Sequence, residues 1–299
     1  MKSRSVITVG NFDGVHVGHR ALLREAGALA RASGAVPVVA MAFRKHPLTF
    51  LKPQAAPGML LDEVQREARL REAGADRVEW IEPDEKTLGQ SPEQFVAGVV
   101  ERFNPVGWVE GPDFRFGKGR AGDVQTLREL GSRHGFEVRI VEPVTVVLAD
   151  KSECAVSSTL VRWLVAHGRV ADARLCLARP LAIRGIVVTG DRRGKELGYP
   201  TVNLDTGGRL LPGDGVYAGR TTLDGRSYPA AISVGTKPMF AMGEQRTFEA
   251  HILGFEGDLY GQTLEVEVTR WLRDQQSFPG VQGLIEQMGR DVARVKEAA

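Results

Sequence analysis

The stretch Gly10-Asn-Phe-Asp-Gly-Val-His-Val-Gly-His19 lies between a short β-type run, Ser5 to Val9, and an apolar-periodic run, Ala21 to Ala32. This order predicts a strand, a glycine-bearing turn and a helix, in which backbone N–H groups and a helix N-terminus point at a phosphate. Since His16 and His19 are three residues apart, their side chains share one face of the helix start. The stretch predicts a nucleotide phosphate site with two imidazoles directed at charge that develops during a reaction.

Length and composition limit the classes of protein to consider. The chain has 299 residues, enough for two ordinary domains. Its 39 Lys and Arg against 37 Asp and Glu leave a formal net charge of +2, which argues against a general nucleic-acid binder. The two cysteines, Cys154 and Cys176, form no close-spaced pair, so neither a disulfide scaffold nor a zinc site is predicted. We expect a cytoplasmic protein without a signal peptide or a membrane span, since the apolar runs are short.

The first half of the chain alternates strand-like and helix-like segments from Val6 to about Val144. Such alternation predicts a parallel sheet covered by helices. Val36 to Phe43 is a continuous apolar run, which is typical of a buried parallel strand. Capping residues and periodicity predict helices at 62–73, from 92 onward and at 123–134, and further strands are predicted at 107–110 and 136–141.

The pattern changes after Arg179-Pro180, where short β-type runs alternate with glycine-rich turns up to Arg270. This pattern predicts a small antiparallel barrel. The chain ends in a predicted amphipathic helix whose apolar face consists of Val281, Leu284, Ile285, Met288, Val292 and Val295. Within one run, alternation places Phe248 on the opposite face from Glu249. We divide the chain into domains of residues 1–174 and 175–299.

Two smaller signals are ambiguous when each is taken alone. Ser157, Ser158 and Thr159 stand at a predicted helix start with Arg162 nearby, which would suit a polyphosphate. An ordinary serine N-cap beside a surface arginine explains the same residues more simply. The pair His16 and His19 is likewise a weak signal without its strand and helix, and zinc would need further ligands.

Three segments together make the first half resemble the FMN adenylyltransferase module of bacterial bifunctional FAD synthetases. They are the opening stretch, Gly111-Pro-Asp-Phe-Arg-Phe-Gly117 followed by Lys118-Gly-Arg-Ala-Gly122, and Ser157-Ser-Thr-Leu-Val-Arg162. The resemblance implies a Rossmann-like nucleotidyltransferase domain. It also implies that His16 and His19 stabilise charge on the α-phosphate of ATP while Arg162 helps to hold the triphosphate.

The same resemblance assigns binding roles to further residues. The implied nucleotide contacts are Gly10, Asn11, Phe12, Asp13, Gly14, Ser157, Ser158 and Thr159, and the implied flavin contacts are His46, Pro47, Asp113 and Phe114. The chain departs from the family pattern at Lys45, where the family usually has proline.

The second half carries glycines at 190, 194 and 198 around Lys195. No Gly-x4-Gly-Lys-Ser/Thr motif is present, so a P-loop is not predicted. Glycine turns could let backbone wrap a phosphate, but they are more often simple hairpins. Glu249 has the same two readings: most such glutamates are solvated surface residues, and a general base must lie close to its substrate.

This half resembles the riboflavin kinase module of the same family. The resemblance lies in Leu197-Gly-Tyr-Pro-Thr-Val-Asn-Leu204, Gly215-Val-Tyr-Ala218, Gly235-Thr-Lys-Pro-Met-Phe240 and Phe248-Glu-Ala-His-Ile-Leu253. It implies a six-stranded antiparallel barrel with a terminal helix. It also implies that Glu249 is the catalytic base, that Mg²⁺ is held by Thr201 and Asn203, and that ATP or flavin contacts come from Gly190, Gly194, Lys195, Thr201, Asn203 and Tyr217. Val202 and Gly254 depart from the family pattern.

Both resemblances together imply a bifunctional enzyme that makes FMN from riboflavin and FAD from FMN. Its expected ligands are riboflavin, FMN, FAD and ATP with Mg²⁺, and a homo-oligomer is an open expectation. Two alternatives remain: an adenylyl- or cytidylyltransferase for another acceptor with an inactive kinase half, and a flavin- or nucleotide-binding regulator that does not turn over. We expect neither nucleic acid nor a membrane as a partner.

Overall fold

The computed structural model describes residues 4–190, 197–239 and 243–298. Its internal contacts divide the chain into two compact units, residues 1–158 and 159–299. Within the part of the chain that the structure describes, no helix has the length and apolarity needed to cross a membrane.

The first unit is built on a five-stranded parallel sheet. Its strands are β1 (Ser5–Gly10), β2 (Val38–Phe43), β3 (Arg77–Ile81), β4 (Pro105–Glu110) and β5 (Glu137–Ile140). The spatial order is β3-β2-β1-β4-β5, and every neighbouring pair is parallel. The order reverses between β1 and β4, and ligands of open α/β sheets bind at such a switch point, outside the carboxyl ends of the strands.

Helices connect these strands, as the alternation predicts. They are α1 (Val17–Ala32), α2 (Leu48–Leu51), α3 (Glu63–Glu72), α4 (Glu85–Leu88), α5 (Pro92–Phe103) and α6 (Val124–His134). The predicted capping box of Asp62 and Gln65 is present, and α5 begins with proline at its first turn. A hairpin of β6 (Thr145–Val147) and β7 (Glu153–Ala155) was not predicted.

The sheet is buried between helices because its central strands are apolar on both faces. Ile7, Val39 and Trp108 lie in one cluster with residues of α5 and α6. On the side of α1, the helix approaches the sheet closely at Gly107. A Cβ added there would lie 2.2 Å from Cδ2 of Leu29, so glycine is what allows α1 to pack against β4.

The second unit contains two helices, a closed six-stranded barrel and a terminal helix. Its elements are α7 (Ser158–Ala166), α8 (Val170–Leu177), β8 (Leu181–Val188), β9 (Val202–Asp205), β10 (Gly215–Leu223), β11 (Arg226–Met239), β12 (Gly243–Ile252), β13 (Thr263–Arg273) and α9 (Val281–Ala298). The barrel order is β10-β11-β12-β9-β8-β13, with antiparallel neighbours throughout. The predicted α/β domain and antiparallel barrel are both confirmed.

The terminal helix α9 is held differently from what its apolar face suggests. Val295 is buried, whereas Val281, on the same predicted face, is 60% exposed. The buried carboxylate of Asp291 accepts hydrogen bonds from the Arg273 guanidinium at 2.8–3.0 Å. A hydrogen-bonded ion pair with β13 therefore replaces part of the expected apolar contact.

The close approach at Gly107 gives a test of the packing of α1. Gly107→Ala should lower the free energy of unfolding by about 1–3 kcal/mol, because the new methyl group overlaps Leu29. In the double variant with Leu29→Ala the two effects should be less than additive, since the space is then free.

A matched control is Gly98→Ala in α5, where a Cβ meets nothing within 4 Å. This variant should gain up to about 1 kcal/mol, because alanine is the better helix former. Urea denaturation measures the free energy of unfolding of all five proteins: the parent, the three single variants including Leu29→Ala, and the double variant. Equal stability of Gly107→Ala and the parent chain would contradict the packing described here.

Candidate active sites

The loop between β1 and α1 has an unusual backbone. Phe12, Gly14 and Val15 have positive φ values of 48°, 82° and 39°, and a β-branched residue in this region is strained. The Asp13 carboxylate holds the loop, because it is fully buried and accepts hydrogen bonds from the backbone N–H groups of Leu60 and Leu61 at 3.0–3.2 Å. The strain is thus maintained by contacts outside the loop.

Both histidines of the opening stretch stand at the N-terminus of α1. His16 is the N-cap residue, and its Nδ1 accepts from the backbone N–H of His19 at 3.4 Å. The two rings stack with centroids 3.6 Å apart. A neutral imidazole that accepts at Nδ1 carries its proton on Nε2, so the second ring nitrogen of His16 is a hydrogen-bond donor.

Gly18 makes this arrangement possible. A Cβ at position 18 would lie 3.1 Å from Cε1 and Nδ1 of His16, so a larger residue would displace the first imidazole. Nearby, Oδ1 of Asn11 is buried and has no hydrogen-bond partner within the described residues. A buried acceptor of this kind is satisfied when a ligand or water supplies a donor.

The serine segment contacts the same loop. The Ser158 hydroxyl donates to the backbone carbonyl of Asp13 at 2.8 Å, while Ser157 is exposed. The first unit therefore brings Ser158 into contact with the stretch 10–19. Thr159 and Arg162 lie on α7, in the second compact unit.

The predicted flavin residues follow two other strands of the same sheet. His46 and Pro47 follow β2, and His46 Nδ1 accepts from the Leu48 N–H at 3.2 Å. Asp113 and Phe114 follow β4 in a turn, with Asp113 exposed. Because the sheet is parallel, the loops after β1, β2 and β4 all lie at its carboxyl edge.

Glu110, at the end of β4, was not singled out from sequence. It is buried, and its Oε1 accepts from the Val9 N–H at 2.7 Å and from the Trp108 Nε1–H at 2.9 Å. Burial raises the pKa of Glu110 well above that of an ordinary glutamate. The paired register of β1 and β4 ends at Ile7 and Trp108. Beyond that point the Glu110 carboxyl group, in place of a backbone carbonyl of β4, accepts the hydrogen bond from the Val9 N–H.

In the barrel, strand register brings two predicted residues together. Asn203 on β9 pairs directly with Glu249 on β12. Directly opposite residues share a face with Cβ atoms about 5 Å apart. Phe248 and Ala250 are buried and Glu249 is only half-buried, as the alternation predicts.

The start of β9 also contacts Gly190. A Cβ at position 190 would lie 2.1 Å from Nδ2 of Asn203, so glycine there leaves space for the Asn203 amide. Thr201 immediately precedes β9. Gly194 and Lys195 lie outside the described residues.

Further polar groups join this face through register rather than through any sequence motif. Ser233 on β11 pairs with Glu249 from the other side, and Gln275 donates to the Ser233 hydroxyl at 2.9 Å. His251 forms a 2.7 Å hydrogen bond with the Pro200 carbonyl. Asn203, Glu249 and Ser233 thus form a row across three strands.

Tyr217 is placed in the interior of the second unit. Its side chain is fully buried, and its hydroxyl donates to the Gly213 carbonyl at 2.5 Å. Burial raises the pKa of this hydroxyl to about 12. Its contact with flavin stays a prediction.

The oxygen atoms near β9 would suit a Mg²⁺ ion that is bound jointly by the protein and the phosphates of a nucleotide. Thr201 and Asn203 offer hydroxyl and amide oxygens, which suit a hard cation. Among residues 4–190, 197–239 and 243–298, no group of three or more His, Cys, Asp or Glu could hold a metal ion. Mg²⁺ commonly takes one or two protein oxygens and completes its shell with phosphates and water.

Comparisons with known proteins match both halves. The family model described as FAD synthetase matches residues 1–159, and the model described as riboflavin kinase matches residues 177–299. A crystal structure entitled macrolide-efflux protein, from Streptococcus pneumoniae, is 32% identical with a TM-score of 0.88, covering 99% of this chain and 95% of that chain.

Two bacterial relatives share almost the whole length. A protein of Escherichia coli strain K12 is 33% identical over 98% of this chain and 92% of its own length. A protein of Pseudomonas fluorescens is 34% identical over 98% and 93%. Both are named bifunctional riboflavin kinase/FMN adenylyltransferase. On these matches, the chain belongs to the bifunctional riboflavin kinase/FMN adenylyltransferase family.

Proposed function

We propose that the chain phosphorylates riboflavin to FMN in its barrel unit and adenylylates FMN to FAD, with release of pyrophosphate, in its α/β unit. ATP is the co-substrate of both reactions. The observation that carries the proposal is that the residues proposed to act on the reacting groups of the two reactions lie in different compact units. The stacked histidines belong to the first unit, and the pair of Asn203 and Glu249 belongs to the second.

In the adenylyl transfer, a phosphate oxygen of FMN attacks the α-phosphorus of ATP and pyrophosphate leaves. The attacking group belongs to the substrate, so the protein contributes positioning and electrostatic stabilisation. His16 and His19 stand at a helix N-terminus, where the helix dipole also favours negative charge. Ser157, Ser158, Thr159 and Arg162 are proposed to hold the polyphosphate, with backbone contacts from residues 10–14.

The flavin side of this site is proposed to lie along the loops after β2 and β4. The residues involved are His46, Pro47, Asp113 and Phe114. Phe114 offers an aromatic face, and it stacks on Phe116 with ring centroids 5.3 Å apart.

In the kinase reaction, the ribityl 5′-hydroxyl of riboflavin attacks the γ-phosphorus of ATP and ADP leaves. Glu249 accepts the proton of that hydroxyl, and its position opposite Asn203 puts base and nucleotide ligand side by side. Thr201 and Asn203 would hold Mg²⁺, which neutralises phosphate charge when it is bound. Gly190, Gly194 and Lys195 are assigned to the ATP phosphates, and Tyr217 to flavin.

The proposal also includes a domain boundary, an oligomeric state and a cellular location. Division after residue 174 separates the two activities, and a homo-oligomer is compatible with them. A cytoplasmic location is supported by the low cysteine content, two in 299 residues.

The direct experiment incubates the purified chain with riboflavin, ATP and Mg²⁺ and separates the flavins by chromatography. We expect FMN first and FAD later. Riboflavin that stays unconverted would overturn the kinase assignment, and FMN without FAD would overturn the transferase assignment.

Glu249→Gln should lower FMN formation at least about 100-fold, because the amide cannot accept the hydroxyl proton. Conversion of added FMN to FAD should be unchanged, since this residue belongs to the barrel. Glu267→Gln on β13 is the matched control: it breaks an ion pair with exposed Arg220, and both steps should stay near the parent rates. Loss of both steps in folded Glu249→Gln would contradict two separate sites.

His19→Ala should have the opposite selectivity. Conversion of FMN to FAD should fall about 100-fold, the usual cost of removing one group that stabilises transition-state charge, while FMN formation persists. His134→Ala, at the exposed end of α6, serves as the control. Rates measured separately with riboflavin and with FMN decide the outcome, and equal loss of both would count against the assignment.

A further inference from the structure

Arg66 is a charged side chain inside the first unit. It lies on α3 and is 1% exposed. Arginine is rarely buried unless its charge and N–H groups are matched by partners. Its surroundings therefore indicate what it does.

The Arg66 guanidinium joins two loops. Nη1 donates to the backbone carbonyl of Asn11 at 2.9 Å, and Nη2 donates to the backbone carbonyl of Arg44 at 2.6 Å. Asn11 belongs to the loop with the stacked histidines, and Arg44 begins the loop that carries His46 and Pro47. One planar group thus holds the loops assigned to the nucleotide and to flavin.

Two further interactions stabilise the guanidinium: one with an aromatic ring and one with nearby carboxylates. Its Cζ lies 4.7 Å from the centroid of the Trp80 ring, a favourable cation–π distance. The buried Asp13 carboxylate, together with Glu63 and Asp62, favours the positive charge, whereas Arg44 opposes it. Burial lowers the pKa of Arg66, but a guanidinium remains charged in proteins.

We propose that Arg66 couples the two loops, so that ATP and FMN bind cooperatively to the adenylyltransferase site. This inference rests on the proposed function. The guanidinium is planar and rigid. When one substrate orders its own loop, the carbonyl of that loop fixes the guanidinium in the position that also binds the carbonyl of the other loop. Arg66 is a positioning residue, since it contacts two backbone carbonyls and an aromatic ring rather than reacting atoms.

Coupling of this kind has a measurable signature. Binding of each substrate should increase the affinity for the other, by about fivefold or more for ordinary allosteric coupling. Initial rates of FAD formation over a matrix of FMN and ATP concentrations report on this site, because FAD is made only there. For the parent chain, the KM for FMN should fall at least about fivefold between low and saturating ATP.

Arg66→Met should reduce this KM ratio to about one, since both hydrogen bonds are lost. Arg66→Lys keeps the charge but lacks the fork, and it should also fail to restore the ratio. The control is Arg71→Met on the same helix, because the exposed Arg71 guanidinium hydrogen-bonds to Glu67 and to the Asp76 carbonyl and to neither of the two loops. This control should keep the parent ratio.

The readout separates coupling from a merely structural role. A structural defect lowers the unfolding midpoint or kcat but leaves the KM ratio unchanged, and that result in a folded Arg66 variant would overturn the proposal. If Arg66→Met does not fold, Arg66→Lys decides. A parent chain that makes FAD with a KM ratio of one overturns the coupling alone, whereas a parent chain that makes no FAD overturns the proposed function.

Discussion

The carboxylate of Asp13 holds the loop on which the first site depends. Three of the four residues from Phe12 to Val15 have positive φ values, a conformation that the loop would not keep by itself. The hydrogen bonds from the Leu60 and Leu61 N–H groups to this carboxylate stabilise the turn. As a result, α1 begins at Val17 with two stacked imidazoles at its N-terminus, where an anion is favoured.

In the barrel, strand register brings the residues of the second candidate site together. Asn203 and Glu249 are 46 positions apart in the chain, and only the pairing of β9 with β12 makes them neighbours. A slip of β12 by one residue would turn Glu249 to the opposite face, away from Asn203. Burial of Phe248 and Ala250 opposes such a shift, so the core of the barrel also determines the geometry of its site.

Much of this architecture is predictable from sequence, because hydrophobic periodicity and capping residues act locally. The strand before Gly10, the capping box of Asp62 and Gln65 and the outward position of Glu249 all follow from short-range patterns. Arg66 and Glu110 could not be assigned in the same way, since their partners lie in distant segments. A retrospective signal exists for Arg66, which stands one helical turn before the buried Leu70. The exposure of Val281 could not be predicted either, because tertiary packing determines which part of an apolar helix face is covered.

The central claim is that one chain contains two separate sites, one proposed to make FMN and the other proposed to convert FMN to FAD. Mixing Glu249→Gln with His19→Ala in the presence of riboflavin, ATP and Mg²⁺ tests this claim most directly, because each variant keeps the site that the other lacks. We predict that the mixture makes FAD from riboflavin, while neither variant alone does so at a comparable rate. A mixture that makes no FAD because each folded variant has lost both reactions would contradict two separate sites.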